Sequence, residues 1–233
     1  GWIIERTRRE VSDGVGRLEA VVSETPVLTP PLYEAARRVA SRFLATTSQV
    51  LSLAVPPRHA RAEKEVLASA APAWPVVDAP GAGEGWRAYS AGQALLSRLG
   101  AGESPRAVVT SLHPHLRSCL SQAVAATVSS GRSVVVITAT GEQASRVARD
   151  LEDDLGVPAA LSGGEVGAEE RYRVHVAASL GRVPIVVGTR SAVWVPCASL
   201  GLIIIVGDGD DRLRERRFPR CDALDVAVQR CAV

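Results

Sequence analysis

Gly188-Thr189-Arg190-Ser191-Ala192, followed by Leu202-Ile203-Ile204-Ile205-Val206 and then Gly207-Asp208-Gly209-Asp210-Asp211, is the stretch that decides the fold. The Leu-Ile-Val run does not alternate apolar with polar residues, so a strand made from it needs cover on both faces. A parallel sheet flanked by helices provides that cover. Upstream, strands are expected at 106–110, 133–138, 157–161 and 183–187. Helices are expected between them at 116–129, 143–155 and 168–180, with Gly131 and Gly156 closing the first two. Strands alternating with amphipathic helices define an α/β lobe whose crossovers are right-handed.

The N-terminal residues read differently. A strand at 2–6, a polar turn at Ser12-Asp13-Gly14 and an apolar segment at 18–22 precede Thr29-Pro30-Pro31, a helix start with threonine as N-cap. Leu32, Ala36, Val39, Ala40 and Phe43 then share one helical face, while Arg37, Arg38 and Arg42 lie off it. A short helix through Val50, Leu51 and Leu53 ends at Pro56-Pro57. From 68 to 85 the composition shifts to Ala, Pro and Gly, the signature of a linker. The expected division is a small α+β unit at 1–57, a linker at 58–85 and the α/β lobe at 86–233.

With a formal net charge of +2, composition alone requires no nucleic-acid partner. Lys64 is the sole lysine, and this arginine bias fits a GC-rich genome. Cys119, Cys197, Cys221 and Cys231 form no C-x-x-C pair, and no apolar run approaches eighteen residues. A cytoplasmic protein with reduced thiols and no membrane partner is expected. The chain starts at Gly1 and has no methionine, which reads as an internal piece of a longer protein.

The chemistry-bearing candidates lie where strands end, since open α/β sheets bind ligands outside their carboxyl ends. A phosphate loop after strand 106–110 needs the pattern G-x-x-x-x-G-K-S/T. The chain instead has Thr110-Ser111-Leu112-His113-Pro114-His115-Leu116-Arg117, with no glycine and with Leu116 in the lysine place. Pro114 removes a backbone donor from the would-be phosphate nest. His113 and His115 lack the further ligands that zinc needs. Asp208, Asp210 and Asp211 could hold magnesium only with help from substrate phosphates, and otherwise form a solvated strand exit. Arg212, Arg214, Arg216, Arg217 and Arg220 read as the solvated face that balances them. Gly188, Thr189, Arg190 and Ser191 can turn backbone N–H groups and a guanidinium toward a nucleic-acid phosphate. A plain capped turn uses the same residues.

Several strings then point to one family. They are Gly1-Trp2-Ile3-Ile4-Glu5-Arg6, Pro26-Val27-Leu28-Thr29-Pro30, and Leu53-Ala54-Val55-Pro56-Pro57-Arg58-His59-Ala60-Arg61. Next come Gly85-Trp86 with Tyr89 and Gly92, Ser162-Gly163 with Glu170-Arg171-Tyr172, Gly188 through Val193, and Leu200-Gly201-Leu202-Ile203. In this order they make the chain similar to the replication restart family PriA, also called primosomal protein N-prime. The resemblance implies that residues 1–57 are the later part of a domain binding DNA 3′ ends at forks. The rest would be the first RecA-like motor lobe, with a second lobe and a zinc-binding, cysteine-rich region further along.

In active motors the strand at 202–206 delivers an Asp-Glu pair to magnesium, and here Val206 and Gly207 occupy those places. The resemblance is to a variant branch of GC-rich Gram-positive bacteria, and implies a degenerate nucleotide site at Ser111, His113, His115, Leu116, Arg117, Val206, Gly207, Asp208 and Asp210. No ATP, magnesium or other cofactor is expected in this piece. DNA contacts are expected from Gly188, Thr189, Arg190, Ser191, Arg37, Arg38 and Arg42. The partners implied are forked or single-strand/duplex junction DNA, together with primosome and replicative-helicase loading proteins. The alternatives are an active ATP-dependent 3′-to-5′ helicase and a structural module that has lost DNA.

Overall fold

A computed structural model describes residues 2–4, 19–23, 25–77, 85–111, 113–164 and 166–233, with the backbone alone for 113 and 114. Trp2–Ile4 and residues 19–22 take no regular structure and are exposed. The rest of the strand expected at 2–6, the turn at Ser12-Asp13-Gly14 and Leu18 lie outside the described residues.

The helices are α1 (Pro30–Arg42), α2 (Thr47–Ala54), α3 (Ala60–Ala68), α4 (Gly92–Gly100), α5 (His113–Ser129), α6 (Gly141–Leu155), α7 (Ala168–Ser179) and α8 (Ala223–Arg230). The strands are β1 (Ser133–Ile137), β2 (Ala159–Ser162), β3 (Ile185–Gly188) and β4 (Leu200–Ile205). They form one four-stranded sheet in the order β2-β3-β1-β4, with every pairing parallel. The α/β class follows from this sheet and its covering helices.

Local signals set the boundaries. Thr140 and Gln143 form a reciprocal capping box at the start of α6, and Gly156, with φ 64°, closes its end. Thr46 and Gln49 do the same at the start of α2. Pro30 sits in the first turn of α1, where its missing N–H costs nothing. Val134 through Ile137 and Ile185 through Val187 are fully buried, with helices on either side. On one side Val124, Val128, Ala144, Ala148 and Leu151 from α5 and α6 pack against Val134 and Val136. On the other, Val135, Ile137 and Val186 meet Leu32, Val39, Val50, Val174, Trp194 and Val226.

Three findings differ from the sequence expectations. Residues 106–110 are not a strand: they run without a ladder partner, and Val108 is 98% exposed. Two tethers hold the segment outside the sheet, from Arg106 Nη2 to the Cys231 carbonyl at 3.3 Å and from Tyr89 Oη to the Thr110 carbonyl at 3.1 Å. Second, the span read as a linker contains α3, which packs along α7 through Ala62, Val66, Tyr172 and Val176. Third, α1 and α2 share the core of the sheet. The helical face read from Leu32, Ala36, Val39 and Ala40 is buried as expected, but against the lobe.

A buried polar network joins α3 to α7. The Glu63 carboxylate, in a residue 6% exposed, accepts hydrogen bonds from Arg58 Nε at 3.0 Å, Tyr172 Oη at 2.6 Å and Ser23 Oγ at 2.7 Å. Next to it on α7, buried His175 donates from Nε2 to the Val27 carbonyl at 2.7 Å, since a carbonyl can only accept. Burial pushes the imidazole from 6.5 to about 4, aided by the Arg230 charge and opposed by the Val27 bond. The unfolded chain therefore binds more protons than the folded one between those values. We expect stability to be full above pH 6.5 and to fall by about 3 kcal/mol as pH drops to 4. Denaturant midpoints across that range check this, and His175→Gln removes the slope.

Candidate nucleic-acid interface

The carboxyl ends of β1, β2 and β3 converge on a shelf of small residues. Parallel pairing aligns Ile137 with Gly188 and Ser162 with Gly188, so the three strand exits are neighbours. Thr138 ties two of them: its N–H donates to the Gly188 carbonyl at 2.8 Å and its hydroxyl to the Thr140 carbonyl at 2.9 Å. Glycine is needed at the closest approaches. A Cβ on Gly163 would lie 2.6 Å from Thr189 Oγ1 and 3.0 Å from Ser191 Oγ, and one on Gly164 would lie 2.8 Å from Gly141 Cα. Both glycines also have positive φ, at 106° and 67°, which independently disfavours any side chain.

Thr189 and Arg190 are half-buried here and Ser191 is exposed. A short 3-10 helix, Arg190–Trp194, follows Thr189 and is anchored by Ala192, Val193 and Trp194 in the core. Arg230, buried at the end of α8, donates to the Val193 carbonyl and holds that helix from behind. The start of α6 opens onto the same shelf. Thr140 satisfies the Gln143 N–H, leaving the Gly141 and Glu142 N–H groups without partners within the helix. Hydroxyls, backbone donors and a guanidinium in one place suit an anion that is read by position rather than by sequence.

Arg190 carries a constraint that its sequence position did not reveal. Its Nε lies 3.5 Å from Glu215 Oε2 and is buried without a hydrogen-bond partner. Burial raises the Glu215 carboxyl, but the Arg217 N–H and the Arg190 and Arg217 charges hold it below the usual carboxylate range.

The other candidates are placed as follows. On α1, Arg37 and Arg38 pair with Glu34 at 3.1 and 3.2 Å, and Arg42 pairs with Asp225 of α8 at 3.2 Å. Of the Ser111–Arg117 stretch, Ser111 is half-buried outside any helix or strand, and α5 begins at His113. His115 is exposed and Leu116 half-buried in the first turn of that helix. The side chain of His113 lies outside the described residues. Arg117 clamps α5 to α6 through Asp150 at 2.7 Å and Asp154 at 2.6 Å. At the exit of β4, the Val206 N–H continues the ladder to the Ile137 carbonyl, and Gly207 turns with φ 76°. Asp208 is exposed there. Asp210 caps the following turn and pairs with Arg212 at 2.5 Å. Among the described residues no group of three or more His, Cys, Asp or Glu could hold a metal.

The shelf adds Thr140, Gly141, Gly163 and Gly164 to the site. Their signals were present in the sequence as a Thr-x-x-Gln capping box and a glycine pair ending a strand.

Together these features define the class: an α/β protein whose all-parallel sheet is compatible with a Rossmann- or RecA-like core. The particular family follows from its relatives. The chain is 40% identical, over 99% of its length, to "Probable replication restart protein PriA" of Mycobacterium tuberculosis (strain CDC 1551 / Oshkosh). The protein of the same name from Mycobacterium leprae (strain TN) is 34% identical over 99% of the chain. The resemblance to PriA therefore holds along almost the entire chain. The chain spans 35% and 36% of the length of these two relatives. No family model matches it. Among the described residues no helix is long and apolar enough to cross a membrane.

Proposed function

We propose that this chain is part of a PriA-like replication restart protein that binds branched DNA at stalled forks and promotes primosome assembly without acting as a helicase. The observation that carries the reading is the shelf at the ends of β1, β2 and β3, where Gly163 and Gly164 lie against Thr189, Ser191 and Gly141, with Arg190 between Thr189 and Ser191 in the chain. Its backbone donors and single guanidinium match a sugar-phosphate strand, which offers repeated anions and no sequence information. The region 1–57 would supply part of a 3′-end contact, with Arg37, Arg38 and Arg42 on its rim. Replicative-helicase loading proteins would be the protein partners.

The non-helicase part of the reading rests on the residues at the nucleotide places. Helix α5 starts at His113 with Pro114 in its first turn, so no glycine nest faces a phosphate. Leu116 brings no charge, and Arg117 is committed to Asp150 and Asp154. Val206 and Gly207 offer no carboxylate, and Asp210 is engaged by Arg212.

The test of the site is Arg190→Ala. We expect binding to a single-strand-tailed duplex to weaken alike for all sequences, with a salt dependence flatter by about one unit. Titrations at several salt concentrations measure both. An unchanged slope with unchanged affinity would remove Arg190 and its shelf from the interface.

A further inference from the structure

The segment between β4 and α8 folds back onto Arg190. Leu213 and Cys221, 0% and 3% exposed, pin its two ends in the core. Between them an antiparallel bridge joins Arg214 to Asp222, and the Glu215 N–H donates to the Cys221 carbonyl at 2.9 Å. This fold turns one carboxylate inward. Glu215, whose side chain is 14% exposed, accepts from the Arg217 N–H at 3.0 Å and lies 3.5 Å from Arg190 and 3.7 Å from Arg217. Arg214, Arg216, Arg217 and Arg220 stay exposed around it.

The pairing with Arg190 is incomplete. The carboxylate balances the guanidinium charge, yet the Arg190 Nε–H is buried and makes no hydrogen bond. A buried donor left unmade costs free energy that a better-placed acceptor recovers. An anion arriving at Thr189 and Ser191 would meet, in the residue between them, a guanidinium whose charge Glu215 partly neutralises.

The geometry points to Glu215 as a built-in competing anion: it holds Arg190 in the absence of DNA and yields it to a strand phosphate on binding. This deepens the DNA reading above and rests on it. Glu215 thereby sets the strength of the Arg190 contact. The backbone acceptor role toward Arg217 is separate, and an uncharged side chain of the same shape retains it.

Glu215→Gln separates the two roles. With oligodeoxythymidine as probe, we expect binding about two- to fivefold tighter than the parent, as releasing one part-buried, loosely paired guanidinium allows. The salt slope should stay that of the parent, since Arg190 neutralises the same strand phosphate in both complexes. In an Arg190→Ala background the same change should have no effect. Equal or weaker binding by Glu215→Gln, or the same gain without Arg190, would overturn the proposal. Should Glu215→Gln lower the melting midpoint, Glu215→Asp retains the charge but withdraws it from Arg190, and an intermediate gain is then expected. A titration with inorganic phosphate, following the Arg190 Nε–H resonance, distinguishes the two layers. If neither protein binds oligodeoxythymidine, the DNA reading fails. A response at lower phosphate in Glu215→Gln than in the parent would then still support the competing anion, and equal responses would overturn it.

Discussion

Gly188→Ala is expected to lower stability by about 3 kcal/mol or more, moving the thermal midpoint down by roughly 6–12 °C. The cause lies in the sheet. Gly188 pairs with Ser162 on one side and Ile137 on the other, and a Cβ there would run into the Ser162 carbonyl oxygen. It would also meet the Ala192 Cβ at 2.7 Å. Both obstacles belong to the backbone or sit next to it, so neither can swing away as the end of a long side chain would. Either β2 moves off β3 or the chain turns early, and each option breaks the shelf. Gly167→Ala is the control: nothing lies within 4 Å of its added Cβ, and its cost should stay below about 1 kcal/mol. Thermal melts of the two variants beside the parent settle the comparison. Similar midpoints for both would mean that β2 and β3 do not approach as described.

Glu63→Ala is the second large effect, with an expected loss of about 2–3 kcal/mol. Burial alone would raise the Glu63 carboxyl, but hydrogen bonds from Arg58, Tyr172 and Ser23 outweigh it and bring the pKa from 4.5 to about 2. Removing the carboxylate leaves the Tyr172 hydroxyl buried without its acceptor, while Arg58, 38% exposed, can turn to water. The sign of the pH dependence follows from the depressed pKa. The folded state resists protonation between 4.5 and 2, so acid favours unfolding in that window. The network's contribution is complete above pH 4.5 and is lost as pH falls through about 2. It lies below the window of His175, so a parent melt series should show two successive losses. Glu63→Ala should abolish the lower one. Chemical denaturation at pH 7 gives the stability difference, and a loss under about 1 kcal/mol would show that the network does not tie α3 to α7.

The parts of the fold that local chemistry dictates were legible in the sequence. Val134 through Ile137 read as a doubly covered strand because nothing polar interrupts them, and Gly156 read as a helix stop because it supplies the left-handed residue the end requires. Residues 106–110 have the same β-branched character but no strand to pair with, and propensity cannot say which edge is open. Helix α3 was hidden by its position: Ala60–Ala68 is built of good helix formers, yet it precedes an Ala-Pro-Gly stretch that reads as linker. The candidate site divides in the same way. Gly188 through Ser191 announced itself as a strand exit. That Gly163 and Gly164 would lie against Thr189 and Gly141 depends on β2 standing beside β3, which is not written in either segment alone. Likewise Arg212 through Arg220 read as a solvated face, and only the fold shows that Glu215, within that run, turns inward to Arg190.

The most direct test of the central claim is the ratio of affinities for a forked duplex with an available 3′ end and for a blunt duplex of equal length. It should be measured by titration at several salt concentrations, with and without magnesium and ATP. We expect the fork to bind more tightly, both affinities to fall as salt rises through counterion release, and ATP to leave the ratio unchanged. A ratio of one would contradict fork recognition by this chain, and a ratio that shifts with ATP would contradict the loss of the nucleotide site.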